Sequence, residues 1–359
     1  MRIGLVIYGS LETISGGYLY DRKLVEHLRA QGEQVEIVAL PWRGYARHLT
    51  DNFSGALYKQ LRKAGFDVLL QDELNHPSLF LLNNRLREQA GYPIVSIVHH
   101  LRSSEVWPGW QRWLYWLVER RYLASADGFV FNSQSTRATV ERMLGEARPS
   151  VVAAPAGDRL GVTLDPEQIA ARAARPGPLR VVFLGNVIRR KELHTLLNAL
   201  ARLREAWRLT VVGNLKVDPA YGRSILRQIG CQGLERRVRL AGPLEDAALI
   251  RELATSDVLA VPSAYEGFGI VYLEGMAFGL PAIGSTAGGA GEVITHGRDG
   301  FLVKPGEAGE LAERLGELAR DRARLRAMSL AARQRFDEHP TWAESAARIH
   351  RFLGQMAAR

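Results

Sequence analysis

Residues 258–282 read VLAVPSAYEGFGIVYLEGMAFGLPA. Val258 to Val261 form a short apolar run of the kind that makes a buried strand. Pro262 and Ser263 stop it, and a helical pattern runs from Ile270 to Phe278 before Gly279 and Pro281 end it. Between strand and helix lies Glu266-Gly267-Phe268-Gly269, a turn whose glycines permit close approach of a ligand to the backbone. A strand that hands the chain through such a turn to a helix N-terminus presents unpaired N–H groups and a partial positive charge, which suits a phosphate. Glu266 precedes the helix, and Glu274 lies eight residues on. Carboxylates in such positions accept strongly and directionally from vicinal hydroxyls. Two glutamates at this spacing also occur as plain surface residues, so the signal resides in their setting.

That setting, EGFGIVYLE preceded by a strand and Pro-Ser and followed by Gly-Leu-Pro, resembles the donor-site signature of family-4 retaining glycosyltransferases with the GT-B fold. The resemblance implies an α/β chain of two Rossmann-like domains facing across a cleft. In that family Glu266 meets the transferred sugar, Glu274 meets the ribose, and the N–H groups of 267–270 meet the diphosphate. Donor-site residues on this stretch are therefore Gly267, Phe268, Gly269, Ile270 and Glu274, with Glu266 in the catalytic set.

Upstream, a strand at Leu179–Leu184 leads into GNVIRRKELHTLLNALARL. The family turn reads G-R-L-x-x-x-K-G, with Arg and Lys on the donor diphosphate. Gly185 and Lys191 match it. Asn186 stands at the Arg position and Glu192 at the second glycine. An amide lacks the charge and fork of a guanidinium, and the change costs about 1–2 kcal/mol of donor binding. Arg190, or its neighbour Arg189, is expected to compensate. Downstream, TAGGAGEVITHGRDGFLVKPGE keeps the spacing of the family's closing motif through Glu292, Gly297 and Gly300.

The first half starts with the strand RIGLVIY at 2–8. A loop at 9–17 carries Gly16-Gly17, followed by a helix from Tyr18 to Ala30 and a strand at Val35–Leu40. The start MRIGLVIYGS is too short in its apolar core for a signal peptide. The pattern is not G-x-G-x-x-G, so the dinucleotide fingerprint that an NAD-dependent oxidoreductase needs is absent. Gly16-Gly17 resembles the double-glycine loop of the family, which lies opposite the donor phosphates. Residues 41–55 read as irregular. A strand at Pro93–Val98 ends in His99-His100, and ligands of open α/β sheets sit at the C-terminal ends of strands. By resemblance His99 contacts the transferred sugar, with His100 as the fallback. A strand-end histidine held only by backbone is the plainer reading. The pair lacks a third ligand at zinc-like spacing, and no metal is expected.

Residues 107–123, WPGWQRWLYWLVERRYL, hold four of the seven tryptophans. One reading is a core helix with Trp110, Trp113, Leu114 and Leu117 on the buried stripe. The other adds a face that touches a lipid surface, where Trp and Arg are favoured. Asn132 to Thr136 read as a helix cap.

The 359 residues, 47% hydrophobic and 24% charged, suit a globular chain of two domains. The expected division is an acceptor-side domain at 1–160, a linker at 161–178, a donor-binding domain at 179–339, and a last helix at 340–359 that crosses back to the first domain. One cysteine, Cys231, excludes a disulfide framework. No apolar run reaches membrane-spanning length. The net charge of +9 is scattered, with no nucleic-acid-binding motif.

The resemblance, together with these observations, implies a metal-independent retaining glycosyltransferase that needs no cofactor beyond its nucleotide-diphosphate-sugar substrate. Its catalytic set is His99, Glu266 and Lys191. Its donor-binding set is Gly16, Gly17, Gly185, Asn186, Arg190 and the 267–274 residues named above. The acceptor is expected to be a glycan or lipid-linked sugar, the location cytoplasmic with peripheral contact at the inner membrane face. The alternatives are a non-catalytic nucleotide-sugar-binding protein, or a GT-B phosphorylase or epimerase.

Overall fold

The computed structural model describes residues 1–13, 15–105, 107–162 and 164–358. The chain divides into two compact units, residues 1–155 with 340–359, and residues 156–339.

The first unit is built on a six-stranded sheet in the order β2-β1-β3-β4-β5-β6. Its strands are β1 (Arg2–Tyr8), β2 (Gln34–Leu40), β3 (Val68–Asp72), β4 (Ile94–Val98), β5 (Gly128–Phe131) and β6 (Ser150–Val152). Every pairing is parallel, with Ile3 opposite both Val35 and Val68. Parallel sheets are covered on both faces, which is why β1, β3 and β4 read as almost unbroken apolar runs and are buried nearly throughout. The order reverses between β1 and β3. Helices emanating from such a pair go to opposite faces, and this leaves a crevice at the C-terminal strand ends.

The second unit repeats the plan with β7 (Leu179–Leu184), β8 (Trp207–Val212), β9 (Val238–Gly242), β10 (Val258–Ala260), β11 (Ala282–Ser285) and β12 (Gly300–Val303). The order is β12-β11-β10-β7-β8-β9, again all parallel. Its reversal lies between β7 and β10, the two strands that lead into Lys191 and Glu266.

Several local expectations change. The first helix begins at Gly16, two residues early, because Ser15 in an extended conformation accepts from Tyr18 N–H. Gly16-Gly17 are thus its first turn, not a loop. Residues 45–53, read as irregular, form a short α-helix and a 3-10 turn. The helix after the EGFG turn is Ile270–Met276, shorter than the pattern suggested, and it ends through Leu280 N–H donating to Gly275 C=O at 3.0 Å beside left-handed Gly279. In the stretch read as linker, Pro166–Ala173 is helical, and Arg172 donates to the Phe278 and Gly279 carbonyls at 2.7 and 2.8 Å.

The largest correction concerns helix Gly109–Ala124. Its buried residues are Tyr115, Val118, Glu119, Tyr122 and Leu123. Trp110, Trp113 and Trp116 are 68%, 61% and 38% exposed. The stripe through Trp110 and Trp113 therefore faces solvent, and Tyr115, which is not part of that stripe, is buried instead. Volume favoured the tryptophans as core, but buried Glu119 fixes the rotation by accepting from the Arg102 and Ser103 N–H groups.

Candidate active site

In the second unit the site forms where β7 and β10 lie side by side. Lys191 ends the 3-10 turn after β7, and Glu192 follows at φ 51°, the left-handed conformation that a family glycine adopts without strain. Lys191 Nζ donates to Glu266 Oε2 at 2.7 Å. Ser263 Oγ donates to the same oxygen at 3.1 Å. Arg190 lies 3.7 Å from Glu266 and donates to the Tyr265 carbonyl at 2.7 Å. Burial alone raises the Glu266 carboxyl, but Lys191 and then Arg190 outweigh it and hold its pKa at about 2. Burial lowers the Lys191 ammonium despite the carboxylate beside it.

The backbone around this pair is dense. Glu266 N–H donates to the Ala287 carbonyl at 3.2 Å, and Gly289 N–H donates to the Glu266 carbonyl at 2.7 Å. Gly288 has φ 88°, and a Cβ on it would stand 2.0 Å from the Glu266 oxygen. The Gly-Gly of TAGGAGE is therefore a packing requirement that locks the EGFG turn. Gly269, at φ 99°, is the N-cap of the helix that follows, whose first turn carries no acidic residue. Phe268 is buried, its ring 5.8 Å from that of His339. Gly185 lies against the Lys191 stem, where a Cβ would be 3.5 Å from Cε. The half-buried Asn186 side chain makes no hydrogen bond among the described residues, so its amide is available to a ligand.

Glu274 stands apart from this cluster. It is 4% exposed and paired with Arg159, which also reaches Asp246 at 2.7 Å. Burial raises the Glu274 carboxyl against the pull of Arg159. Arg159 was missed because it lies in a stretch rich in Pro, Gly and Ala that carries no periodic signal.

In the first unit, His99 follows β4 and is enclosed. Its ring meets Tyr20 edge-on at 5.1 Å, and its carbonyl accepts from Asn132 at 2.7 Å. A Cβ on Gly17 would come within 3.2 Å of His99 Cδ2, so the second glycine of the pair makes room for the imidazole. His99 Nε2 is 3.4 Å from Asp21 Oδ1. This is an ion-pair contact, since neither Nε2 nor either Asp21 oxygen has a hydrogen-bond partner. Burial works to lower the His99 pKa, but Asp21, Asp72 and Glu73 outweigh it and raise it to about 9. Burial, then Asp21, pushes Asp72 up to about 8. Asp21 and Asp72 were not singled out from sequence: one lies inside a helix and the other ends a strand, and only the fold joins them to His99. His100, the fallback, pairs with Glu105 at 3.1 Å.

Two buried groups, Asp21–Asp72–His99 and Glu73–His76–Glu119, have ligand-type atoms within 4.8 Å of one another. A histidine held protonated is a poor ligand, and Glu119 is committed to backbone N–H groups, so neither donor set fits a cation well.

The model described as Glycosyl transferases group 1 matches residues 165–335, and that described as Glycosyltransferase Family 4 matches residues 19–156. The chain is similar to a D-inositol 3-phosphate glycosyltransferase of Nocardia farcinica, at 26% identity over 88% of this chain and 80% of that one. It is 29% identical to a phosphatidyl-myo-inositol mannosyltransferase of Mycobacterium leprae, over 99% and 97% of the two chains. Among solved structures it resembles a sucrose-phosphate synthase from Thermosynechococcus elongatus, with TM-score 0.85, 23% identity and 99% of each chain covered. Two parallel six-stranded sheets, a lysine–glutamate pair at the reversal of the second, and these matches place the chain in the GT-B glycosyltransferases of the group 1 and family 4 type.

Proposed function

We propose that this glycosyltransferase moves a sugar from a nucleotide-diphosphate donor to an acceptor hydroxyl with retention at the anomeric carbon. The observation that carries the reading is the Lys191–Glu266 contact of 2.7 Å where the second sheet reverses its order. Lys191 and Arg190 would neutralise the diphosphate as its bond to the sugar breaks, so that protein cations rather than a metal meet the developing charge. Asn186 adds a neutral donor. Glu266, ionised at every physiological pH, would accept from sugar hydroxyls through the oxygen that Lys191 does not hold. Glu274 would accept from the ribose. His99, protonated below about pH 9, would donate to a sugar oxygen.

In the proposed step, the bond from the anomeric carbon to the diphosphate oxygen breaks and the acceptor oxygen bonds on the same face. The acceptor proton passes to the departing phosphate. A trapped glycosyl-enzyme would overturn this route.

The acceptor is proposed to lie at the cytoplasmic membrane face. Supporting this are the exposed Trp110, Trp113 and Trp116, with Arg112, Arg120 and Arg121 exposed on the same helix. The name of the M. leprae relative likewise carries a phosphatidyl acceptor. No helix among the described residues is long and apolar enough to cross a membrane.

The test is a thermal-shift titration with UDP, GDP, ADP and CDP, each with and without EDTA. Ligand at 100 times its dissociation constant adds about 2.7 kcal/mol of stability. A shift with one diphosphate, unchanged by EDTA, is expected. No shift with any of them overturns the donor assignment.

A further inference from the structure

A cavity of about 370 Å³ opens in the first unit, beside Trp42, Arg43, Tyr45, Glu73, His100 and Arg102. Glu73 follows β3, and His100 and Arg102 follow β4, so the cavity lies at the C-terminal strand ends, next in sequence to His99. Its size suits a monosaccharide and a substituent.

Its wall contains an arginine whose side chain makes no ion pair within salt-bridge distance and no hydrogen bond among the described residues, its charge balanced only at longer range by the buried Glu73 carboxylate. The Arg102 guanidinium lies over the rings of Tyr45, Trp107 and Tyr115, at 5.4, 5.0 and 4.7 Å. Its Nε is buried with no hydrogen bond. The main-chain N–H donates to Glu119, but the side chain donates no hydrogen bond among the described residues. Three aromatic faces orient and partly stabilise a cation. They accept none of its N–H donors in the way a carboxylate or phosphate does. A partly buried guanidinium left in this state is costly unless something else completes it. Arg43, the second cation of the cavity, sits on the Asp51 carboxylate at 3.0 Å. Glu73 is 1% exposed, and its Oε1 lacks a hydrogen bond. Trp42 is 56% exposed, an open ring face 5.3 Å from the ring of Tyr8.

We infer that this cavity receives the acceptor through an anionic group, a phosphate or carboxylate, which completes Arg102 and is flanked by Arg43, while the hydroxyl-bearing ring of the acceptor rests on Trp42. The word acceptor rests on the transferase reading above; the anion site does not. A soluble sugar phosphate and a phosphorylated lipid headgroup present the same chemistry.

The test uses the full chain, saturated with whichever nucleoside diphosphate it binds so that the donor site is filled. Glucose 6-phosphate, glucuronate and glucose are titrated by calorimetry, and vesicles with and without phosphatidylinositol are assayed by cosedimentation. At least one anionic arm should bind 10-fold or more tighter than its neutral counterpart. Arg102→Gln should remove that difference, and Arg43→Gln, at a more exposed site, should weaken it several-fold with no change in melting temperature. Trp42→Ala should weaken glucose 6-phosphate but not inorganic phosphate. Preference for glucose 6-phosphate assigns a soluble source, and preference confined to phosphatidylinositol vesicles assigns a lipid one. Equal binding of glucose and the anions, no anion binding in either arm, or a difference that survives in folded Arg102→Gln and Arg43→Gln overturns the inference. Should no nucleoside diphosphate bind while Arg102-dependent anion binding persists, the transferase reading fails and the cavity assignment stands.

Discussion

Lys191 Nζ and Glu266 Oε2 meet at 2.7 Å, although 75 residues separate them. Each follows one of the two strands between which the second sheet reverses. Both residues are nearly buried, at 9% and 8% exposure. Breaking such a pair strands one charge out of water. Glu266→Ala is expected to cost about 3–5 kcal/mol in urea unfolding, and Lys191→Met, Glu266→Leu together considerably less. Both forms should lose sugar transfer. A stability cost equal to the sum of the single variants would show that the two charges are independent.

The depressed Glu266 pKa has a definite pH signature. Its folded value of about 2 lies below the ordinary 4.5, so its contribution is fully present above pH 4.5 and is lost as pH falls toward 2. The loss is on the order of 3 kcal/mol. Chemical denaturation at pH 5 and pH 3 should show roughly half of that loss in the parent and none of it in Glu266→Gln.

At the other end of the scale, the His99 cluster acts in the opposite direction. The folded His99 pKa of about 9 exceeds the ordinary 6.5, so its stabilisation is full below pH 6.5 and fades as pH rises through 9. Asp72, raised to about 8, holds a proton in the folded state that the unfolded chain releases near pH 4, which also favours the folded form at lower pH. Stability is therefore expected to fall between pH 6.5 and 9, and His99→Asn should flatten that slope. Asp21→Asn should lower the His99 pKa, read from its ring-proton NMR shift, because burial then acts with one counter-charge fewer.

Gly288→Ala should damage the second unit severely. The position has φ 88°, and the added Cβ would lie 2.0 Å from the Glu266 carbonyl oxygen. Backbone strain of about 1–3 kcal/mol combines with a clash that only movement of the EGFG turn relieves. Gly306→Ala, also at positive φ but with open space around it, serves as the control. Its cost should be smaller, and its nucleotide binding unchanged.

Replacing Trp110 and Trp113 by Ser removes two exposed indoles without opening a cavity. The melting temperature should stay within about 2 °C, since surface changes are usually within 0.5 kcal/mol. Cosedimentation with anionic phosphatidylglycerol vesicles should fall at least several-fold. Unaltered vesicle binding would remove the membrane reading.

The linear chain already displayed most of the architecture. Apolar runs such as RIGLVIY and VLAV announce buried parallel strands, and the glycines of EGFG and GLP bracket a helix. These are local signals, set by backbone sterics and by the burial of both sheet faces. Lys191 and Glu266 were readable as candidates through the motifs that resemble the family's, and His99 through its place directly after an apolar strand together with that resemblance. The partners of those residues were not. Asp21 on a helix, Arg159 in a proline-rich stretch and Arg102 beyond a histidine pair look ordinary along the chain. They matter through the space they share with residues far off in sequence. The rotation of helix Gly109–Ala124 shows the same limit. Hydrophobicity favoured burying Trp110 and Trp113, yet one glutamate satisfied by two backbone N–H groups turned Tyr115 and Tyr122 inward instead. Periodicity specifies that a helix has an apolar face, whereas hydrogen bonds that a strand end across the fold requires select which face it is.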